Sequence, residues 1–244
     1  MADPRHLTRA PIKEALIHIQ VTSAGGMDAV QRLGDKLSAS FTSHVDLWQN
    51  SVGLTINPTG VSSATTEQAK IGIRLDAAPH VLQIKPGGFT FSRLAPYENW
   101  EQMRDQAMPY WQAFVDEIQP IDVTGLSVRY INSIPIPAPL GGFETYLTCP
   151  PEVPLSLPQS ISGFLQQTVI VDAGSNNVAR VTQALENGPS DANLMRILLD
   201  IDLSHQQGFG VRDSGVWDAL DSLRHFKNKI FFEYLTEKTI GYLI

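Results

Sequence analysis

Leu126-Ser-Val-Arg-Tyr-Ile-Asn-Ser-Ile-Pro-Ile-Pro137, near the middle of the chain, is the stretch on which the fold turns. Leu126, Val128 and Tyr130 alternate with Ser127 and Arg129, the period of a strand with one apolar face. Pro135 and Pro137 remove two backbone donors and stop the run from serving any further as a central strand. A helix rich in aromatics precedes it, and after it the same kinds of element begin again. The stretch reads as the seam between two α+β halves, residues 1–119 and 120–244.

Upstream, Pro11 leads into Ile12–Val21, where Ala15, Ile17, Ile19 and Val21 share one side of a half-buried strand. Asp28 opens a helical pattern through Val30, Leu33, Leu37 and Phe41, weakened by Gly34. Short strands follow at Ser51–Ile56, Ile71–Leu75, Val81–Ile84 and Phe89–Phe91. Asn57–Gly60 is a turn between the first two, and Lys85–Gly88 reads as a hairpin between the last two. Strands in succession with tight connections pair antiparallel. Asn99–Ile118 carries Trp100, Met103, Ala107, Trp111, Phe114 and Ile118 at helical spacing, a stripe read as core. Pro109 inside it predicts a kink or break near Ala107–Met108.

Downstream, Phe143–Thr148 is expected to pair beside the opening strand, and Pro150–Pro158 is a proline-rich loop. Ser160–Phe164 reads as one helical turn. Strands are expected at Gln167–Val171, Val178–Ala184 and Met195–Leu203, with turns at Ala173–Asn177 and Asn187–Ser190. The final helix, capped by Asp213 or Ser214, has a stripe of Val216, Leu220, Leu223, Phe226, Ile230 and Tyr234. The fold class is therefore α+β, with antiparallel sheets covered by helices. The order strand, helix, strands, helix occurs twice and is similar to the repeats of the TATA-box-binding-protein fold. A single helix-grip sheet wrapped around the last helix is the competing architecture.

Of 244 residues, 43% are hydrophobic and 18% charged, a globular balance. No apolar run approaches the roughly 18 residues of a membrane span, so no membrane is expected. The first residues have no secretory character, and one cysteine, Cys149, allows no disulfide within the chain and no Cys-based metal site. A reducing, cytoplasmic setting is expected. The formal net charge of −7 argues against nucleic acid as an unaided partner. Arg224, Lys227 and Lys229 read as a solvated helix face.

Three stretches resemble a family of sporadically distributed bacterial proteins of about this length. They are Ala10-Pro-Ile-Lys-Glu-Ala-Leu-Ile-His-Ile-Gln20, Arg129-Tyr-Ile-Asn132 and Asn228-Lys-Ile-Phe-Phe-Glu-Tyr-Leu-Thr-Glu237. The resemblance covers both ends and the middle. It implies a bacterial, cytoplasmic protein, encoded beside a partner in a mobile or defence-like setting, and it brings no established activity, cofactor or catalytic residue.

The chain has no G-x-G-x-x-G, P-loop, G-x-S-x-G or H-E-x-x-H motif. No catalytic residue, cofactor or resident metal is therefore expected. Asp200, Asp202 and His205 are the one weak set of metal candidates, and solvated aspartates are the preferred reading. Cys149 has no neighbouring base to activate it. Glu233 and Glu237 have Lys229 and Lys238 at neutralising distance along the helix. Arg129, Tyr130 and Asn132 are the candidates for a ligand or interface site. The guanidinium suits a carboxylate or phosphate, or ties the halves together through Glu14 or a helix carboxylate. The expected function is a non-enzymatic interaction or accessory module, engaging a protein partner or a second copy through an edge strand. The alternatives are a binder or hydrolase of a small anionic ligand or nucleotide at Arg129, and a nucleic-acid-binding sheet.

Overall fold

The computed structural model describes residues 5, 7–23, 25–56, 62–137, 142–186 and 194–244. The expected turns at Asn57–Gly60 and Asn187–Ser190 lie outside them. The strands are β1 (Ile12–Ser23), β2 (Ser43–Ile56), β3 (Ser62–Ala77), β4 (His80–Lys85), β5 (Gly88–Leu94), β6 (Pro120–Pro137), β7 (Leu165–Asp172), β8 (Asn177–Leu185), β9 (Leu194–His205) and β10 (Phe209–Gly210). The helices are α1 (Met27–Leu37), α2 (Trp100–Ile118), α3 (Gly215–Tyr234) and α4 (Glu237–Gly241).

These strands form one antiparallel sheet in the order β2-β3-β4-β5-β1-β6-β9-β8-β7, with β10 added on β6. The sequence leads to separate sheets; the structure joins them, because β1 pairs with β6 along almost its whole length. One row of facing residues crosses seven strands: Leu75, Leu82, Phe91, Ile17, Val128, Leu203 and Ala179. All seven are fully buried. At about 1.5–3 kcal/mol for burying each of the large side chains, rows of this kind fix the register of the whole sheet.

The helices cover the face to which that row points. α1 packs over β3 and β4, α2 over β5, and α3 over β6 and β9. Asn99 caps α2 by accepting from the Gln102 amide (2.8 Å). The buried stripe of α2 is the one read from the sequence, extended by Val115. The helix runs unbroken through Pro109, which lies on its exposed side, so the expected break is absent. Glu117 ties α2 to α1 through Arg32 (2.7 Å) and Lys36. Gly34 lets α1 sit close on β3, since a Cβ there would fall inside the radius of Ile73 Cδ1.

Beyond Asn132 β6 leaves β1 and, among the described strands, keeps β9 alone, so Pro135 and Pro137 occupy a part of the strand paired on one side. Phe143–Thr148 does not become a strand. It forms a 3-10 turn at Phe143–Thr145 and a single bridge from Leu147 to Leu235, after α3. Ser160–Phe164 carries no helical turn. β2 and β3 are far longer than expected, and from Gly72 back to Ser62 β3 has β2 as its only partner among the described strands.

Candidate functional site

Side-chain alternation on β6 divides the three candidates of the central stretch. Tyr130 and Asn132 are buried on the helix-covered face, and Arg129 lies on the other. There Arg129 makes a two-pronged contact with Asp200, Nε to Oδ1 at 2.9 Å and Nη2 to Oδ2 at 2.6 Å. Hydrogen bonding to Asp200 raises its pKa further. The partner is thus a neighbouring strand of the same half, and neither Glu14 nor a helix carboxylate takes that place.

Asp202 stands on the same side, with burial pushing its carboxyl up against the lowering influence of Arg129 and Arg180. His205 falls on the opposite side of β9, with Nδ1 2.8 Å from Asn177 Oδ1. The three weak metal candidates are therefore not gathered into one ligand set. Among the described residues no group of three or more His, Cys, Asp or Glu is placed to hold a metal ion.

Asn132 instead lines a pocket of about 440 Å³ between the N-terminal leader, the segment entering α2 and the face of α3, and Tyr130 lies beneath it against Lys227. The leader is held by Arg9 N–H donating to Leu243 O (3.0 Å) and by Pro11 O accepting from Ser133 N–H (2.8 Å). Trp100, at the start of α2, donates its indole N–H to Asp221 of α3, and Arg104 binds the same carboxylate at 3.0 Å. These contacts fix the walls from three directions.

At the base is Lys227. Its ammonium lies 3.9 Å from the centroid of the Tyr130 ring. The Tyr130 hydroxyl is 3.2 Å from that of Tyr97, and the two rings meet edge to face. Lys227 is 8% exposed, and among the described residues no carboxylate lies within ion-pair distance of it. Burial, reinforced by the neighbouring Arg224 guanidinium, pulls its pKa down to about 7. Burial also pushes Tyr97 up to about 12 and Tyr130 well above the phenol range, so neither supplies a phenolate to pair with the lysine.

Reading Lys227 as part of a solvated face is thus overturned. The signal was in the spacing: Leu223, Lys227 and Ile230 follow one another at four and three residues on the buried side of α3, with Phe226 only partly buried. Asn132 contributes fixed polarity, its amide donating to Tyr130 O (3.2 Å) and Leu199 O (2.9 Å). Its Oδ1 has no donor among the described residues. Arg224, with Glu101 at 3.7 Å, supplies a loosely paired cation at the rim. Buried amine, cation, amide oxygen and aromatic wall together suit a small ligand with one anionic end.

A second hollow, of about 350 Å³, lies on the uncovered side and includes His18, Ser127, Arg180 and Asp202. Burial lowers the His18 pKa, with Lys85 adding to the effect. Its arginine is answered locally, Arg180 by Asp202 at 3.5 Å. The proline-rich segment Pro150–Leu155 borders a broader hollow that contains no cation.

No protein-family model matches the chain, and no curated protein matches it. Fold and pocket alone define the class: an α+β protein with one large antiparallel sheet and a buried lysine beneath its last long helix. Among the described residues no helix is long and apolar enough to cross a membrane.

Proposed function

We propose that this chain binds a small anionic molecule in the pocket floored by Lys227. The observation that carries the reading is a cationic side chain, nine-tenths buried, with no carboxylate among the described residues to answer it. Burying such a group is costly unless it is paired or neutralised, and a ligand anion supplies the missing partner. This keeps the small-ligand alternative of the sequence and transfers it from Arg129, which is occupied by Asp200, to Lys227 and Arg224. The test is thermal shift and calorimetry with phosphate, nucleotides and pyruvate. Binding should weaken in Arg224→Ala and persist in Arg129→Ala; equal binding in wild type and Arg224→Ala overturns the assignment.

A non-catalytic interaction module is the second reading, supported by the edge strand β7. Leu165, Val169 and Val171 are exposed there on one side of a strand whose outer edge has no partner among the described strands. A second copy is the occupant that fits, because antiparallel pairing about Thr168 sets Leu165 opposite Val171 across a two-fold axis. Nucleic-acid binding has less support. On the uncovered face Arg74, Arg129 and Arg180 are each paired with a neighbouring aspartate.

Strand order also supports reading the chain as two copies of one unit. β1 and β6 lie side by side, flanked by β5 and β9 of their own halves, and α2 and α3 are the last long helices of those halves. In that reading the pocket is lined by both copies, and α2 has no lysine to match Lys227 of α3.

A further inference from the structure

We infer that Lys227 is a covalent anchor: its side-chain nitrogen condenses reversibly with the carbonyl of a small 2-oxo acid whose carboxylate is held by Arg224. The inference rests on the ligand-binding reading above and names the class of ligand.

Three features point to it. Lys227 is enclosed by Tyr130, Tyr97 and the apolar side of α3, with Phe231 and Phe232 beside it in the pocket wall. An amine held in such surroundings next to another cation is present in good part without its extra proton near neutral pH, the form with a lone pair to donate. The charged or titratable groups that share the pocket are Arg5 and Glu98 from the flanking segments, Tyr97, and Arg224 on the same helix, with Tyr130 against Lys227 from beneath. Arg5 is bound to Glu237 at 2.7 Å, and Glu98 to Arg93 at 3.1 Å. Both carboxylates therefore have other partners, and the Arg224 guanidinium opposes protonation of the amine.

In the step itself, the Lys227 nitrogen attacks the carbonyl carbon. Its two protons pass to the carbonyl oxygen, water leaves, and a C=N bond replaces C=O. No redox partner is involved. A simple salt link to Lys227 needs the ammonium and weakens as pH rises through about 7, whereas condensation needs the amine and strengthens over the same interval. That opposite sign separates the two chemistries.

The experiment treats the full chain with pyruvate or glyoxylate plus cyanoborohydride, which converts an imine to a stable secondary amine. Intact mass and peptide mapping locate the adduct. One adduct at Lys227 is expected, formed several-fold faster at pH 8 than at pH 6, absent in Lys227→Arg and Lys227→Met, and competed by lactate, which has the carboxylate but no carbonyl. Modification scattered over exposed lysines, or none at Lys227, overturns the inference. If thermal shift with pyruvate or phosphate then persists, ligand binding stands and Lys227 is a salt-link anchor. With neither shift nor adduct, both readings fall.

Discussion

Lys227 of α3 sits directly over the ring of Tyr130 on β6, 3.9 Å from its centroid, so a titratable amine seals the contact between the last long helix and the centre of the sheet. Attraction to the ring favours the charged form, and burial disfavours it more strongly.

That balance gives stability a pH dependence with a definite sign. The folded chain releases the Lys227 proton near pH 7, while the unfolded chain keeps it to about 10.4. The unfolded state binds more protons over that interval, so stability rises with pH by up to about 1.4 kcal/mol per unit from this group. Lys227→Met, which keeps the stem, should abolish that slope and raise stability at pH 7 and below. Denaturant melts of both proteins from pH 6 to 10 measure the difference.

Tyr97 acts in the opposite direction and at higher pH. Its folded pKa is near 12, so the unfolded chain loses the phenolic proton first and stability falls as pH rises above about 10. Tyr97→Phe should flatten that fall. An unchanged decline in the variant, followed by denaturant melts from pH 9.5 to 11.5, would contradict the burial of the hydroxyl.

Arg129→Ala should destabilise the fold without touching the ligand. Asp200 is only 13% exposed in its side chain and would lose its two-pronged partner, while Arg129 is 42% exposed and partly screened by solvent. The loss is expected at about 1–2 kcal/mol, below that of a fully buried pair. Adding Asp200→Asn should recover part of it, and a double-mutant cycle reads the coupling.

Gly72→Ala tests a close backbone approach. A Cβ at Gly72 would run into the Ile84 carbonyl oxygen and the Lys85 side chain, beside the irregularity at Leu47/Trp48. Backbone cannot rotate away as a side chain can, so a loss of about 2–3 kcal/mol is expected in equilibrium unfolding.

Val169→Lys separates the two functional readings. The site is exposed on an edge strand, so stability should stay within about 0.5 kcal/mol. Sedimentation across a concentration series should then show wild-type self-association disappearing in the variant, while ligand binding at Lys227 is unaffected.

Local periodicity made much of this fold legible. Ile12–Val21, Leu126–Tyr130 and Met195–Leu203 alternate because one face of each is buried, and the stripe of α2 repeats at helical spacing because one side meets the sheet. Sequence shows strands at Ser51–Ile56 and Ile71–Leu75 but not the full length of β2 and β3, because the described part of their outer stretch has little against it: Thr65 to Ala69 are all exposed, so no alternation marks them. The Arg129–Asp200 pair depends on the register between β6 and β9, a long-range property that no single stretch encodes. The central stretch points to Tyr130 and Asn132, but the pocket that Asn132 lines is completed by Lys227, which rests on the Tyr130 ring. A lysine on an apolar stripe is read by its charge until the stripe is seen to be covered.

The pairing of β1 with β6 also has a consequence for synthesis on the ribosome. Ile17 must wait for Val128, so the first half emerges with one edge of β1 unsatisfied and apolar residues ready to pair elsewhere. Growth temperature and translation rate should therefore govern the yield of native protein, and truncation after α2 should leave a chain that clumps.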